Sequence, residues 1–233
     1  MTRLLYEAMG VTEARFSVRP FPWRILMACA HKGLDVTRVP VKLSDKDSLA
    51  FSGQTGIPVF VDNEAVIPDS WRIACYIEET YSERPSLFEG AVGRSHARFI
   101  HDWAESVLHY RGLVPLILRD ALDTLHPDDH AYFRRTREAT YGMTLEAIQM
   151  NREVRLPQFQ ELLQPVRESL RRQPFLCGDA PAYADYIVFS DFQWARCQSP
   201  WQLLDSTDPI HAWRETMFDL FDGLSRNEPG FSV

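Results

Sequence analysis

The apolar positions at the start of the chain alternate between short runs and helical spacing. An apolar run at 4–6 predicts a buried strand, and apolar side chains at helical intervals across 23–30 predict one face of a helix. Gly33 favours the end of that helix, because glycine readily takes the left-handed conformation beyond a last turn. Valines within 36–41 predict a second strand. The expected order is therefore strand, helix, strand.

A hairpin and another helix are predicted next. Apolar runs at 58–61 and 65–67 are separated by turn-forming residues, which is typical of two strands joined by a tight turn. The apolar residues of 73–81 then return to helical spacing, with Asp69 or Ser70 as the residue that caps the helix. The first part of the chain thus reads β-α-β followed by β-β-α.

The pattern changes near Glu83, where proline and glycine replace any helical face. We therefore predict a first domain at 1–82, a linker at 83–92 and a second domain at 93–233. All periodic segments of the second domain are helical. They comprise a long pattern from Ile100 that Pro115 kinks or ends, a helix beginning near Asp128, one continuous helix across 159–170, and helices near 183–194 and 210–221.

Composition and charge narrow the classes of binding partner that we expect. The 233 residues are 45% hydrophobic and 24% charged, which is typical of a packed globular protein, and the net charge of −7 gives little support to binding nucleic acid or an anionic membrane. The four cysteines are far apart and the seven histidines lack metal-ligand spacing, so no metal is predicted. Without a signal-like or membrane-spanning apolar run, we expect a cytoplasmic protein with reduced thiols that binds small molecules.

Three short motifs carry a family resemblance. They are Gly56-Ile57-Pro58-Val59 at a strand start, Asp69-Ser70 at a helix start, and the run from Gly178 to Asp185 before a later helix. Together with the element order, they make the chain similar to the cytosolic glutathione transferase family. The resemblance implies a thioredoxin-like α/β domain followed by an all-helical domain, a homodimer, and glutathione as co-substrate.

The resemblance also assigns residues to glutathione. It implies that the bond before Pro58 is cis, that the backbone of Ile57 pairs with the cysteinyl part of the tripeptide, and that Gln54 contacts it from the preceding loop. Asp69 and Ser70 would hold the γ-glutamyl end, because a helix N-terminus binds a carboxylate and an aspartate can receive an ammonium group. Taken alone, Asp69-Ser70 is also an ordinary helix cap.

Further landmarks resemble bacterial transferases related to lignin β-etherases. They are Trp23-Arg24, Ala30-His31-Lys32-Gly33, Asp69-Ser70-Trp71, Leu87-Phe88-Glu89-Gly90 and the run Phe218–Leu224. This branch implies cleavage of an aryl ether by glutathione, although relatives with the same landmarks use other substrates.

Two residues compete to stabilise the glutathione thiolate. A free thiol has a pKa of about 8.5, so an enzyme must favour its ionised form at neutral pH. Matching Phe16-Ser17 to the family pattern makes Ser17 the hydroxyl donor, whereas counting back from Trp23 places Arg19 at that position. Arginine could stabilise a thiolate by charge but could not act as a base. The two alignments stay open.

The electrophile is expected between this site and the first long helix of the second domain. Trp103, His109 and Tyr110 are candidates to line its pocket, although core packing also explains Trp103. The sequence thus predicts a glutathione transferase acting on a small hydrophobic electrophile, in a detoxification role. The alternatives are a glutathione-binding regulatory or interaction module without catalysis, and a glutathione-dependent peroxidase or thiol reductase.

Overall fold

A computed structural model describes residues 2–11 and 19–232 of the chain. Among these described residues, the N-terminal part contains four strands and two α-helices. They are β1 (Arg3–Ala8), α1 (Phe21–His31), β2 (Thr37–Val41), β3 (Val59–Asp62), β4 (Ala65–Pro68) and α2 (Ser70–Thr80), with a 3₁₀ turn at Asp47–Ser52. The sheet order is β2-β1-β3-β4, in which β1 and β2 are parallel and the other pairs are antiparallel.

The apolar runs that predicted strands lie in this sheet and contribute side chains to its buried faces. Leu5 of β1 pairs with Phe60 of β3, and both side chains are fully buried in the core that also contains α1 and α2. Side chains of the opposite face, Val41 and Val59, are buried in a separate cluster with Leu49. Burial of both faces explains why these strands read as short apolar runs. The expected β-α-β and β-β-α order is confirmed, and with it the thioredoxin-like fold of this part.

The rest of the chain is helical, as the sequence predicted. Its helices are α3 (Ala91–Trp103), α4 (Val114–Leu122), α5 (His130–Tyr141), α6 (Leu145–Gln149), α7 (Arg152–Leu162), α8 (Gln164–Leu170), α9 (Tyr183–Gln198) and α10 (Pro209–Gly223). A π-helical segment, Ala104–Leu113, joins α3 to α4 without a loop. The first of these helices begins inside the linker predicted at 83–92.

Two prolines mark helix starts in this part of the chain. Pro115, expected to kink or end the long first pattern, occupies the first turn of α4, which begins at Val114 directly after the π-helical segment. Proline lacks the N–H that would continue an α-helical ladder, and the altered winding before it accommodates that loss. The single helix expected across 159–170 is two helices, because Pro165 starts a new helix, α8, after Leu163.

Asp185 organises the start of the central helix α9. Its carboxylate accepts hydrogen bonds from the backbone N–H groups of Leu176 and Ala182 at 2.7 and 3.2 Å, and from the indole of Trp213 at 3.1 Å. The helix therefore has an acidic cap although Ala182 provides no hydroxyl.

Asp129 joins the helical part to the N-terminal domain. This fully buried carboxylate accepts hydrogen bonds from the N–H groups of Leu43 and Ser44, each at 2.8 Å, and from the Ser44 hydroxyl at 2.6 Å. Hydrogen bonds to a buried charge are among the stronger polar contacts in a protein. The loop after β2 is thereby attached to the segment before α5.

We expect Asp129→Ala to lower the free energy of unfolding by about 3 kcal/mol, because two backbone donors and a hydroxyl lose a charged acceptor. Urea denaturation followed by circular dichroism measures this change. Asp128→Ala is the matched control, since the Asp128 carboxylate is exposed, pairs with Lys42 and lies 3.6 Å from Nδ1 of His126. Equal losses in the free energy of unfolding would show that the Asp129 hydrogen bonds stabilise the fold no more than the exposed contacts of Asp128 do.

Candidate active site

A cleft of about 140 Å³ opens between the two parts of the molecule. It contains all the residues that the sequence assigned to glutathione. Its lining consists of Phe21, Gln54, Gly56, Ile57, Pro58, Asp69, Ser70 and Glu105. The first seven come from the N-terminal domain, whereas Glu105 reaches the cleft from the π-helical segment.

The wall next to β3 is formed by a cis peptide bond between Ile57 and Pro58. Pro58 is buried, and its carbonyl accepts a hydrogen bond from the N–H of Asp69 at 3.3 Å. The side-chain amide of Gln54 donates to the Gly56 carbonyl at 3.2 Å. The turn before β3 and the start of α2 therefore lie side by side along one edge of the cleft.

Asp69 has a backbone conformation that L-residues rarely adopt, with φ at 75°. Its carboxylate accepts a hydrogen bond from the N–H of Arg72 at 3.0 Å and so caps α2. Ser70 begins the helix and is almost fully buried, and its carbonyl accepts a hydrogen bond from the Tyr183 hydroxyl at 3.1 Å. The first-turn N–H groups at Ser70 and Trp71 have no partner within a helix and are suited to an anion.

Glu105 is a cleft residue that the sequence analysis did not identify. Its carboxylate lies 3.2 Å from Nε2 of His101, whose Nδ1 lies 3.0 Å from the guanidinium of Arg24. Because arginine can only donate, Nδ1 is the acceptor, and Nε2 carries the proton that it donates to Glu105. The hydrogen bond from His101 holds the pKa of Glu105 below its ordinary value, so this side of the cleft keeps a negative charge.

A second cavity, of about 260 Å³, lies next to the cleft. The two share a wall, because Phe21 lines the cleft and its ring centroid lies 5.5 Å from that of His109 in the second cavity. His109 is buried and its Nδ1 lies 2.7 Å from Asp191. The other residues that line this cavity are Arg19, Tyr110, Val114, Leu118, Phe133, Arg137, Thr140, Tyr141 and Trp194.

The structure thus brings together most of the predicted site residues. Arg19 lines the second cavity with His109 and Tyr110, whereas Ser17 lies outside the described residues. Trp103 does not join them: it lines a separate apolar cavity with Phe99 and Val166. Trp103 follows the same helical spacing as a pocket residue but occupies a different face of the helix, and residue spacing alone could not distinguish the faces.

Family models match both parts of the chain. The glutathione S-transferase N-terminal domain matches residues 14–85, and the glutathione S-transferase C-terminal domain matches residues 96–215. The chain belongs to the glutathione S-transferase family.

One curated relative is the glutathione S-transferase-like protein ustS of Aspergillus flavus, which is 29% identical over 169 residues. The match covers 68% of this chain and 56% of the fungal protein. The chain thus spans little more than half the length of that relative.

Solved structures share the fold across nearly the whole chain. The glutathione transferase GSTFuA3 from Phanerochaete chrysosporium superposes with a TM-score of 0.83 at 22% identity, covering 100% of this chain and 99% of that one. The glutathione S-transferase CsGST63524 of Ceriporiopsis subvermispora, solved in complex with glutathione, gives a TM-score of 0.77 at 20% identity, covering 98% and 99%.

Within the described ranges, 2–11 and 19–232, we find no group of three or more His, Cys, Asp or Glu side chains arranged to hold a metal ion. None of the helices in that part of the chain is long and apolar enough to cross a membrane.

We expect the Glu105 carboxyl to titrate below its ordinary value of 4.5, because the hydrogen bond from His101 stabilises its charged form. The stabilisation is present above the ordinary value and is lost as the pH falls through the lowered one. Carbon-detected NMR of the side-chain carboxyls measures this pKa, and Glu105→Gln assigns the resonance. Titration at or above 4.5 would contradict the inferred hydrogen bond.

Proposed function

We propose that this protein is a glutathione transferase whose cleft at Asp69 and Ser70 binds glutathione. One observation carries the proposal: the turn at Ile57-Pro58, the N-terminus of α2 and the carboxylate of Glu105 converge on one cleft. The cleft combines donors for an anion with carboxylates for a cation, and the γ-glutamyl end of glutathione carries both an anionic and a cationic group.

The proposed recognition follows from these charges. The γ-glutamyl carboxylate accepts hydrogen bonds from the first-turn N–H groups of α2 and from the Ser70 hydroxyl. The neighbouring ammonium lies between the carboxylates of Asp69 and Glu105, both of which line the cleft. The backbone of Ile57 pairs with the cysteinyl part, and Gln54 contacts the peptide from the loop before it.

The thiol must then be ionised, and Ser17 is the donor we propose for this step. Arg19 lines the neighbouring cavity instead of the glutathione cleft, and this position favours the alignment that retains the serine. A hydroxyl that donates to sulfur lowers the thiol pKa, and the N-terminus of α1 adds the positive end of a helix dipole.

The electrophile occupies the second cavity in this proposal. The thiolate attacks an electrophilic carbon and forms a C–S bond while the bond to the leaving group breaks. A leaving halide departs with the electron pair, and a leaving aryloxide takes up a proton from water. Holding both reactants across the wall formed by Phe21 and His109 reduces the entropic barrier. An aryl ether is one candidate substrate, as in the β-etherase-like branch.

The thiol reductase alternative has less support. The four cysteines are free, and none lines the cleft or the second cavity. Burial raises the pKa of the Cys29 thiol to about 12, so this thiol stays protonated at neutral pH.

We further propose a cytoplasmic homodimer with a detoxification role, which analytical ultracentrifugation and localisation of a tagged chain would test.

Ser70→Ala should weaken glutathione binding about tenfold, because a hydrogen bond to a carboxylate is lost from a buried site. Calorimetric titration with glutathione measures the affinity. Ser95→Ala removes an exposed hydroxyl from α3 and is the matched control, which should bind as the unmodified protein does. If glutathione bound Ser70→Ala as tightly as the control, the proposed γ-glutamyl site would be wrong.

Ser17→Ala should raise the pKa of the bound thiol towards the free value of about 8.5 and slow turnover at neutral pH. Ultraviolet absorbance of the thiolate, titrated against pH in the glutathione complex, measures this change. Arg19→Met serves for comparison and should leave a lowered thiol pKa in place.

The same titration distinguishes the alternatives. A raised pKa in Arg19→Met alone would transfer the activating role to arginine. Glutathione binding with an ordinary thiol pKa in the unmodified protein would favour a binding module without catalysis. Absence of glutathione binding would overturn the proposed function.

A further inference from the structure

Two arginines from distant parts of the chain line the second cavity. Arg19 precedes α1, and Arg137 lies in the last turns of α5. The Nε atom of Arg19 is buried and has no hydrogen-bond partner among the described residues. Arg137 donates to the neighbouring Thr136 hydroxyl at 3.0 Å, and its guanidinium lies 4.9 Å from the centre of the Phe133 ring.

Neither guanidinium forms an ion pair with a carboxylate in the part of the chain that the structure describes. Two acidic groups near the cavity have other partners: Asp191 pairs with His109, and Glu105 pairs with His101 on the cleft side. The charge of Glu105 still acts on Arg19 and partly offsets the lowering of its pKa. Burial lowers the pKa of both arginines, and repulsion from Arg19 contributes to a pKa of about 10 for Arg137. Both remain protonated at neutral pH, so two positive charges share a cavity in which no described carboxylate forms an ion pair with either of them.

This arrangement favours the binding of an anion. Both arginine side chains are half-buried, their positive charges repel each other, and a partner of opposite charge stabilises a charge that is partly removed from water. Guanidinium groups present donors in a planar fork that matches a carboxylate. The cavity is therefore suited to a planar anion such as a carboxylate.

Aromatic side chains form much of the remaining cavity wall. The rings of Tyr110 and Trp194 lie 4.8 and 4.9 Å from that of His109, measured between centroids, and Tyr141 closes the side next to Tyr110 through a 3.2 Å hydrogen bond to its carbonyl. A cavity of about 150 Å³ is enough for a benzene ring. The 260 Å³ available here holds one substituted ring between these side chains.

We propose that the second substrate is a small aromatic electrophile bearing a carboxylate, which Arg19 and Arg137 bind while its ring packs against His109, Tyr110 and Trp194. The proposal rests on the proposed transferase function for turnover, but the binding step does not require it. The anionic group sits at the arginines, and the electrophilic carbon faces the wall shared with the glutathione cleft.

Two probes that differ only in charge test this proposal. The carboxylate 4-chloro-3-nitrobenzoate and the neutral 4-chloro-3-nitrobenzamide have the same ring and leaving group. Calorimetry gives the affinity of each without turnover, and kcat/KM with glutathione is divided by the uncatalysed rate to remove intrinsic reactivity. The variants are Arg137→Gln, which removes the charge, and Arg137→Lys, which retains it. Arg135→Gln on the exposed face of α5 is the control.

We expect the unmodified protein and Arg135→Gln to bind the benzoate at least tenfold more tightly than the benzamide. Arg137→Gln should reduce that ratio about tenfold, and Arg137→Lys should restore part of it. Circular dichroism verifies that each variant is folded. Equal binding of the two probes, or no binding of the benzoate, would overturn the anionic substrate.

The two proposals fail in different ways. Preferential binding of the benzoate without any turnover would support the carboxylate site and count against the transferase. Turnover of both probes with equal normalised kcat/KM would support the transferase and overturn the carboxylate site.

Discussion

The buried guanidinium of Arg24 holds the N-terminal domain and the helical domain in the positions that create both cavities. Its side chain is fully buried and bonds to Ser190 of α9 at 3.3 Å and to His101 of α3 at 3.0 Å. It also lies 4.8 Å from the centre of the Phe21 ring. A buried charge tolerates little displacement of its partners, because an unpaired charge in the interior is strongly destabilising. The interface between the domains is therefore set by polar contacts as well as by packing.

Contacts with the helical domain affect the glutathione cleft at two places, Glu105 and Ser70. Through His101, the Arg24 network orients Glu105 and keeps its carboxylate charged. Through Tyr183, the helical domain supports the backbone at Ser70, next to the unusual conformation of Asp69. Positive φ at a non-glycine residue costs free energy and persists only where the surroundings impose it. The helical domain thus helps to maintain the shape of a site whose residues belong mainly to the other domain.

The two neighbouring cavities are lined by charged side chains of opposite sign. The cleft has the carboxylates of Asp69 and Glu105, whereas the second cavity has the guanidiniums of Arg19 and Arg137. The aromatic contact between Phe21 and His109 separates them. Two ligands of different charge can therefore lie close together without exchanging sites, and such proximity is what a reaction between two substrates needs.

Local sequence determined the elements, and the tertiary structure decided which side chains meet. The apolar runs at 4–6 and 58–61 predicted their strands, and Asp69-Ser70 marked the start of α2, because strand formation and helix capping depend on residues close in the chain.

The sequence did not predict the roles of Glu105 and Arg137, since the same helical spacing is found for surface, core and pocket residues. Glu105 pairs with His101 one helical turn away, but His101 is itself bonded to Arg24 from α1, and Arg137 shares its cavity with Arg19 from before α1. No local pattern records these long-range arrangements. The same physical reason explains why Trp103 lines a different cavity from His109. Which cavity a helical side chain faces depends on the elements packed around the helix, and these are set by the tertiary structure.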